Sequence, residues 1–230
     1  MLSTQNHLIE ILPRGDRRRL LELCEPIALV LGKVICDPAT PTRHVYFPID
    51  GFISLVAVVP GKPGVEVGMV GREGMLGSQL ALGVSQSPLH AVVQGAGSAL
   101  RIGKVAFRAE LVQNPPLQRA IDKYIAVVMA QLATSAVCLR FHEIGPRLAR
   151  WLLMSQDRAH SDTFEMTHEF LSYMLGVRRV GITVAAGGLQ RSGLIEYRRG
   201  VLTVLDRPGL RKAACGCYAL DQLAYAQQFH

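Results

Sequence analysis

Thr167-His-Glu-Phe-Leu-Ser-Tyr-Met-Leu-Gly176-Val-Arg-Arg-Val-Gly-Ile-Thr183 reads as two short helices meeting at a tight turn. Leu171, Leu175, Val177, Ile182 and Ala185 are the apolar positions that let two helices bury one shared face. Gly176 falls at the turn, where a residue without Cβ takes positive φ at no steric cost. Ser172 is small where the second helix approaches. Thr167 precedes the first helix as an N-cap, with a hydroxyl that can accept an orphan backbone N–H. The pattern is that of a helix-turn-helix, and an ordinary αα-hairpin is the alternative.

Downstream, Leu194-Ile-Glu-Tyr197 and Val201-Leu-Thr-Val-Leu205 read as two strands joined by the basic turn Arg198-Arg-Gly200. A hairpin after a helix-turn-helix makes a winged helix. From Arg178 to Lys212 eight basic residues (Arg178, Arg179, Arg191, Arg198, Arg199, Arg207, Arg211, Lys212) face two acidic ones, Glu196 and Asp206, a net +6. The whole chain is only +7, so the excess is concentrated where phosphates would be met.

At 230 residues, with 49% hydrophobic and 19% charged residues, the chain is globular and long enough for one large domain or two small ones. No apolar run of the ~18 to 20 residues that cross a bilayer is expected. The segment Met1-Leu-Ser-Thr-Gln-Asn-His is too polar for a signal peptide, so a cytoplasmic protein without a membrane partner is expected. Cys24, Cys36, Cys138, Cys215 and Cys217 are odd in number and scattered, which favours free thiols. Cys215-Gly-Cys217 would put its thiols on opposed sides of a helix, with no second pair nearby, so it is weak as a zinc site. His44, His90, His142, His160 and His168 form no His-x-His or His-Glu-x-x-His spacing. No metal, no cofactor and no catalytic residues are expected.

Residues 16 to 25 suggest an amphipathic helix, and from Ile27 to about Ile102 short apolar runs alternate with turn residues, as in an all-β sandwich or barrel. After Asn114-Pro115-Pro116 a long helix is predicted, with Leu117, Ile121, Tyr124, Val128, Leu132, Ser135 and Leu139 as a coiled-coil seam. It should run to about Phe141, roughly 25 residues or ~37 Å. With a second apolar edge at Ile125, Val127, Met129 and Val137, it should pair with its twin. Gly145-Pro146 marks a joint, since Pro tolerates a first helical turn. The expected class is α+β: a β-roll (jelly-roll-like) sensor domain over residues 1–113, a dimerisation helix over 114–142, and a winged helix-turn-helix over 143–230.

In that order these parts resemble the Crp/Fnr family of bacterial transcription regulators, most specifically in Thr167 to Thr183 followed by Leu189-Gln-Arg-Ser-Gly-Leu-Ile195 and the basic turn. Tyr46-Phe-Pro-Ile-Asp-Gly-Phe-Ile-Ser-Leu also looks like a strand-turn-strand of the family's cyclic-nucleotide-binding-like β-roll. The resemblance implies a homodimer on palindromic double-stranded DNA, with RNA polymerase as a partner and an unknown small-molecule effector possible. It implies that Arg179 reads guanine, a task suited to a planar fork of donors. Arg178 stands where the family often has a capping Ser or Thr and is assigned to phosphate. Val180 stands where Glu is usual, and its methyls suit a thymine methyl. Thr183, one turn from Arg179, can touch a base or the sugar-phosphate. Thr167, together with His168 at the start of the first helix, and Arg199 at the wing match DNA-contact positions.

The cyclic-AMP-binding members carry Gly-Glu-x-Leu for the ribose and Arg-Ser or Arg-Thr for the phosphate. Here the corresponding residues are Leu76-Gly-Ser-Gln-Leu80, with Ser87-Pro-Leu-His90 further on, so cyclic AMP is not the expected effector. Cys24 and Cys36 lack the spacing of the family's iron-sulfur members. The other reading is a small-molecule-binding or enzymatic β-domain, with the C-terminal part used for protein contacts. It would draw on Arg43, His44, Asp50, Glu66, Arg72, Glu73 and His90, which are isolated in the sequence.

Overall fold

Close to the start of the described chain, Asn6 is fully buried and fully used. Its Nδ2 donates to the carbonyls of Pro48 and Gly74, each at 2.9 Å, while its Oδ1 accepts from Leu8 N at 3.2 Å. It thereby caps α1 (His7–Glu10), which α2 (Arg14–Glu22) follows. The computed structural model describes residues 6–38, 40–61 and 64–229. Residues 1–5, part of the segment read against a signal peptide, lie outside the described residues.

The strands are β1 (Glu25–Leu29), β2 (Val34–Cys36), β3 (His44–Ala57), β4 (Val65–Val70) and β5 (His90–Gly103). They form one sheet in the order β1-β5-β3-β4, with β2 also paired to β5. β1 runs antiparallel to the end of β5, Glu25 opposite Arg101 and Leu29 opposite Gly97. Two expected strand pairs are single long strands. The residues read as strand-turn-strand lie within β3, where Gly51 (φ +72) kinks the strand without ending it. A Cβ at Gly51 would run into the carbonyl oxygens of Gly95 and Ala96, and one at Gly97 into Asp50, so these glycines permit a close crossing of β3 and β5. Phe47, Phe52 and Ile53 are buried from β3, each worth roughly 1.5 to 3 kcal/mol in apolar burial.

After β5 comes α3 (Lys104–Gln113), then Asn114, buried, whose Oδ1 accepts from Leu117 N at 3.1 Å to cap α4 (Pro115–Phe141). The proline pair thus starts the long helix. Its first apolar positions, Leu117, Ala120, Ile121, Tyr124 and Val127, are buried within the chain. Met129, Val137 and Phe141 remain 66%, 50% and 71% exposed. The exposed apolar residues thus include Met129 and Val137 of the second predicted edge and Leu139 of the predicted seam, while Val127 of that edge is buried. By length and composition α4 could cross a membrane, which corrects the expectation of no such run. From Tyr124 to Phe141 the sole charge is Arg140, and isolated Gln131, Thr134 and Ser135 hid the run. Only 22% of its apolar window is buried inside this chain.

The chain forms two compact units, one of residues to Leu55 with Met69–Met129, the other of Val56–Gly68 with Ala130 onward. The division falls inside α4. In the second unit α5 (Ile144–Ala159) precedes β6 (Thr163–Glu165), α6 (His168–Leu175), α7 (Arg179–Arg191), β7 (Ile195–Arg198), β8 (Val201–Val204), α8 (Arg207–Ala213) and α9 (Cys217–Phe229). The sheet order is β6-β8-β7, so the wing has a third strand, too short to be read from the sequence. The core under the helix pair is Leu171, Met174, Leu175, Ile182, Ala186 and Leu189. Ala186 rather than Ala185 carries the buried position.

Candidate nucleic-acid interface

Thr167 caps α6 as expected: its Oγ1 accepts from Phe170 N at 3.0 Å. Gly176 ends α6 at φ +62, and its N–H bonds to the carbonyls of Ser172 and Tyr173. At Gly181 of α7 a Cβ would meet the tip of the Ile144 side chain of α5. A side chain at 181 would require the end of Ile144 to move.

The first turn of α7 projects outward. Arg178 is the N-cap and supplies no side-chain cap, so the first N–H groups of α7 are left to an external acceptor such as a phosphate. Arg178, Arg179 and Thr183 are exposed, and Val180 is 73% exposed. Val184, one turn beyond Val180, is 66% exposed and extends an apolar stripe beside Arg179. The sequence does not single out Val184, since the apolar spacing of α7 is already met by Ile182.

Thr183 and His168 are bound to each other. Thr183 Oγ1 lies 3.2 Å from the Arg179 carbonyl, to which it donates, and 3.0 Å from His168 Nδ1. A hydroxyl has one proton, so with that proton on the Arg179 carbonyl the imidazole donates from Nδ1. The ring stacks on Tyr197 of β7, with centroids 4.5 Å apart, and Tyr197 Oη donates to the Met166 carbonyl at 2.9 Å. Burial first, and then Arg179, lower the His168 pKa. The imidazole therefore braces α6, α7 and the wing as a neutral ring.

The wing turn is Arg199-Gly200, with φ +52 and +83, between the paired residues Arg198 and Val201. Two positive φ values match the right-handed twist of a two-residue hairpin. Arginine without glycine's freedom costs about 1 to 2 kcal/mol there, and the side chain is exposed. Not every basic residue of the segment joins this surface. Arg207 pairs with Asp157 at 2.5 Å and donates to Tyr218 Oη at 3.0 Å, so it holds α8 to α5.

The polar groups named for a small-molecule site do not gather. In the first unit Arg43 and His44 line a cavity of about 340 Å³ with Cys36, Thr42 and Tyr46, whereas Asp50 accepts from Ser98 at 3.4 Å. Glu66, in the second unit, accepts from Trp151 Nε1 at 2.9 Å. The cysteines require a correction. The second pair judged missing beside Cys215 and Cys217 is Cys138 and His142, brought there by the fold. The Cys138 thiol is pulled down to about 5, first by the hydrogen bond from Cys215, whose own proton is held the more tightly for it. Cys24, by contrast, is pushed up to about 12 by burial.

Residues 146–213 match the Crp-like helix-turn-helix domain. The global nitrogen regulator of Synechococcus elongatus is 23% identical over 185 residues, which cover 76% of this chain and 83% of that protein. Among solved structures, FixK2 of Bradyrhizobium japonicum superposes with a TM-score of 0.69 at 13% identity, covering 84% of this chain and 98% of its own. The c-di-GMP responsive global regulator CLP of Xanthomonas campestris gives 0.68 at 16% identity, covering 84% and 100%. A CRP-family transcriptional regulator from Thermus thermophilus gives 0.64 at 20% identity, covering 82% and 96%.

Proposed function

We propose that this chain is a transcription regulator of the Crp/Fnr family that works in the cytoplasm as a homodimer reading a palindromic operator, with an effector other than cyclic AMP. The observation that carries the reading is the outward face of α7. Arg179 and Thr183 stand beside the uncovered methyls of Val180 and Val184, with Arg178 and the Arg199 wing at its flanks. Donors for a guanine and methyls for a thymine on one helix face make a base-reading surface, and the flanking cations position it on phosphates. Thr167 and His168 serve the same surface, Thr167 by capping α6 and His168 by bracing it. No enzymatic step is assigned, and RNA polymerase is the protein partner that activation or repression would engage. Recovery of bound DNA across the genome tests the reading: a shared palindrome is expected, and bound fragments without one would overturn it.

Two recognition helices reach successive major grooves, about 34 Å apart, only if two chains are joined. The exposed edge of α4 is the surface for that. Met129→Glu with Val137→Glu places two carboxylates on it and should convert a dimer in sedimentation analysis into a monomer. A wild-type monomer at micromolar concentration would refute the pairing.

For the effector, a cyclic phosphate needs a guanidinium and its ribose a carboxylate. Between Leu76 and Leu80 the chain offers Gly77, Ser78 and Gln79, with Ser78–Leu82 forming a 3-10 turn. Titration calorimetry with cyclic AMP should be silent, and micromolar heat release would remove this part of the reading.

A further inference from the structure

Cys138 lies in the last turn of α4, and His142 follows one turn on. The His142 N–H still bonds to the Cys138 carbonyl at 3.2 Å, which keeps both side chains on one face. Cys215 sits between α8 and α9, its N–H on the Pro146 carbonyl at 3.3 Å, and Cys217 opens α9. The Sγ atoms of Cys138 and Cys215 are 3.6 Å apart. Cys217 Sγ is 3.5 Å from His142 Nδ1, and all four candidate ligand atoms lie within 4.8 Å of one another. The three thiols are buried and the imidazole is half-buried.

These spacings belong to a metal site. A tetrahedral ion with bonds of ~2.3 Å to sulfur and ~2.05 Å to nitrogen sets two sulfurs ~3.8 Å apart and a sulfur and a nitrogen ~3.6 Å apart. A disulfide would need its sulfurs at ~2.05 Å. We propose that Cys138, His142, Cys215 and Cys217 form a three-cysteine, one-histidine site for a soft divalent cation, Zn2+, that clamps the end of α4 to the α8–α9 junction. Four protein ligands complete a tetrahedral shell, which makes the site structural rather than catalytic. Thiolates select zinc over magnesium or calcium. Binding sends the thiol protons to solvent, and three thiolates with one zinc leave a net single negative charge. Arg147 and Arg150 of α5 lie within electrostatic reach of Cys138 and Cys215 and offset it. The proposal does not depend on what α7 binds.

The test uses the full chain, purified reduced and without chelator. Elemental analysis should find one zinc per chain, and cobalt taken up in its place should give thiolate charge-transfer bands and the ligand-field spectrum of a tetrahedral ion. Cys215→Ser and His142→Ala should each lower metal affinity about tenfold or more. His142→Cys, which keeps four ligands, and Cys24→Ser, outside the cluster, should retain it. A chelator should lower the thermal midpoint of wild type. Wild-type protein that takes up neither zinc nor cobalt, protein joined Cys138 to Cys215 by a disulfide, or stoichiometric iron with sulfide would each overturn the assignment.

Discussion

Asp221→Leu should destabilise the second unit by about 3 to 5 kcal/mol, read as a lower urea midpoint in the fluorescence of Trp151, the sole tryptophan. Arg150 of α5 places Nη2 2.6 Å and Nε 3.2 Å from the same carboxylate oxygen of Asp221 on α9. The two side chains are 12% and 7% exposed. Removing the carboxylate strands a guanidinium where water cannot solvate it, and the cost is that of an unpaired buried charge. The pair itself is not strongly stabilising. Burial raises the Asp221 pKa first, with Arg150 opposing, and the net direction is up. A carboxyl raised on folding contributes stability that is full below the unfolded value, about 4, and is lost as pH rises through the folded value. Arg150→Met together with Asp221→Leu should therefore recover most of the loss and remove this pH dependence. A double variant as unstable as Asp221→Leu would show that Asp221 acts through some other contact.

Arg179→Ala should weaken binding to the specific site by about 1 to 3 kcal/mol, a roughly 5- to 150-fold loss, while leaving affinity for random DNA nearly unchanged. The expectation rests on an exposed arginine at the start of an exposed helix face, with its backbone carbonyl tied to Thr183 and through it to His168. A bidentate donor fork discriminates bases, while a wing arginine at a turn meets phosphate on any sequence. Arg199→Gly is the counterpart. It should weaken specific and random binding alike and reduce the salt slope by about one unit. It should also stabilise the fold, because glycine relieves the positive φ of that turn. Competition binding over a salt series separates the two roles, and equal loss on both DNAs for Arg179→Ala would end its assignment as base reader.

The legible parts of this chain are those whose causes are local. A threonine before a helix caps it, a glycine after a helix turns it, and apolar residues at steps of three and four bury one face, so α6, α7 and the wing could be read from neighbours in sequence. The same local reading erred where one contact overrides a pattern. Gly51 reads as a turn, yet β3 runs through it, with the carbonyls of Gly95 and Ala96 standing where a Cβ would be. Val184 is apolar yet 66% exposed, and spacing says which residues share a face, not which face is covered.

By itself, then, the sequence determined the helix pair, the basic hairpin and the long apolar helix. Tertiary structure alone decided which of those groups are free. It turned Arg207 inward to Asp157, closed Arg150 on Asp221, and spent the first turns of α4 on this chain's own core. It also brought the free thiols of Cys138 and Cys215 to 3.6 Å from each other across 77 residues of sequence. Contacts between residues so far apart carry no periodic signal, because they exist only once the intervening helices have packed.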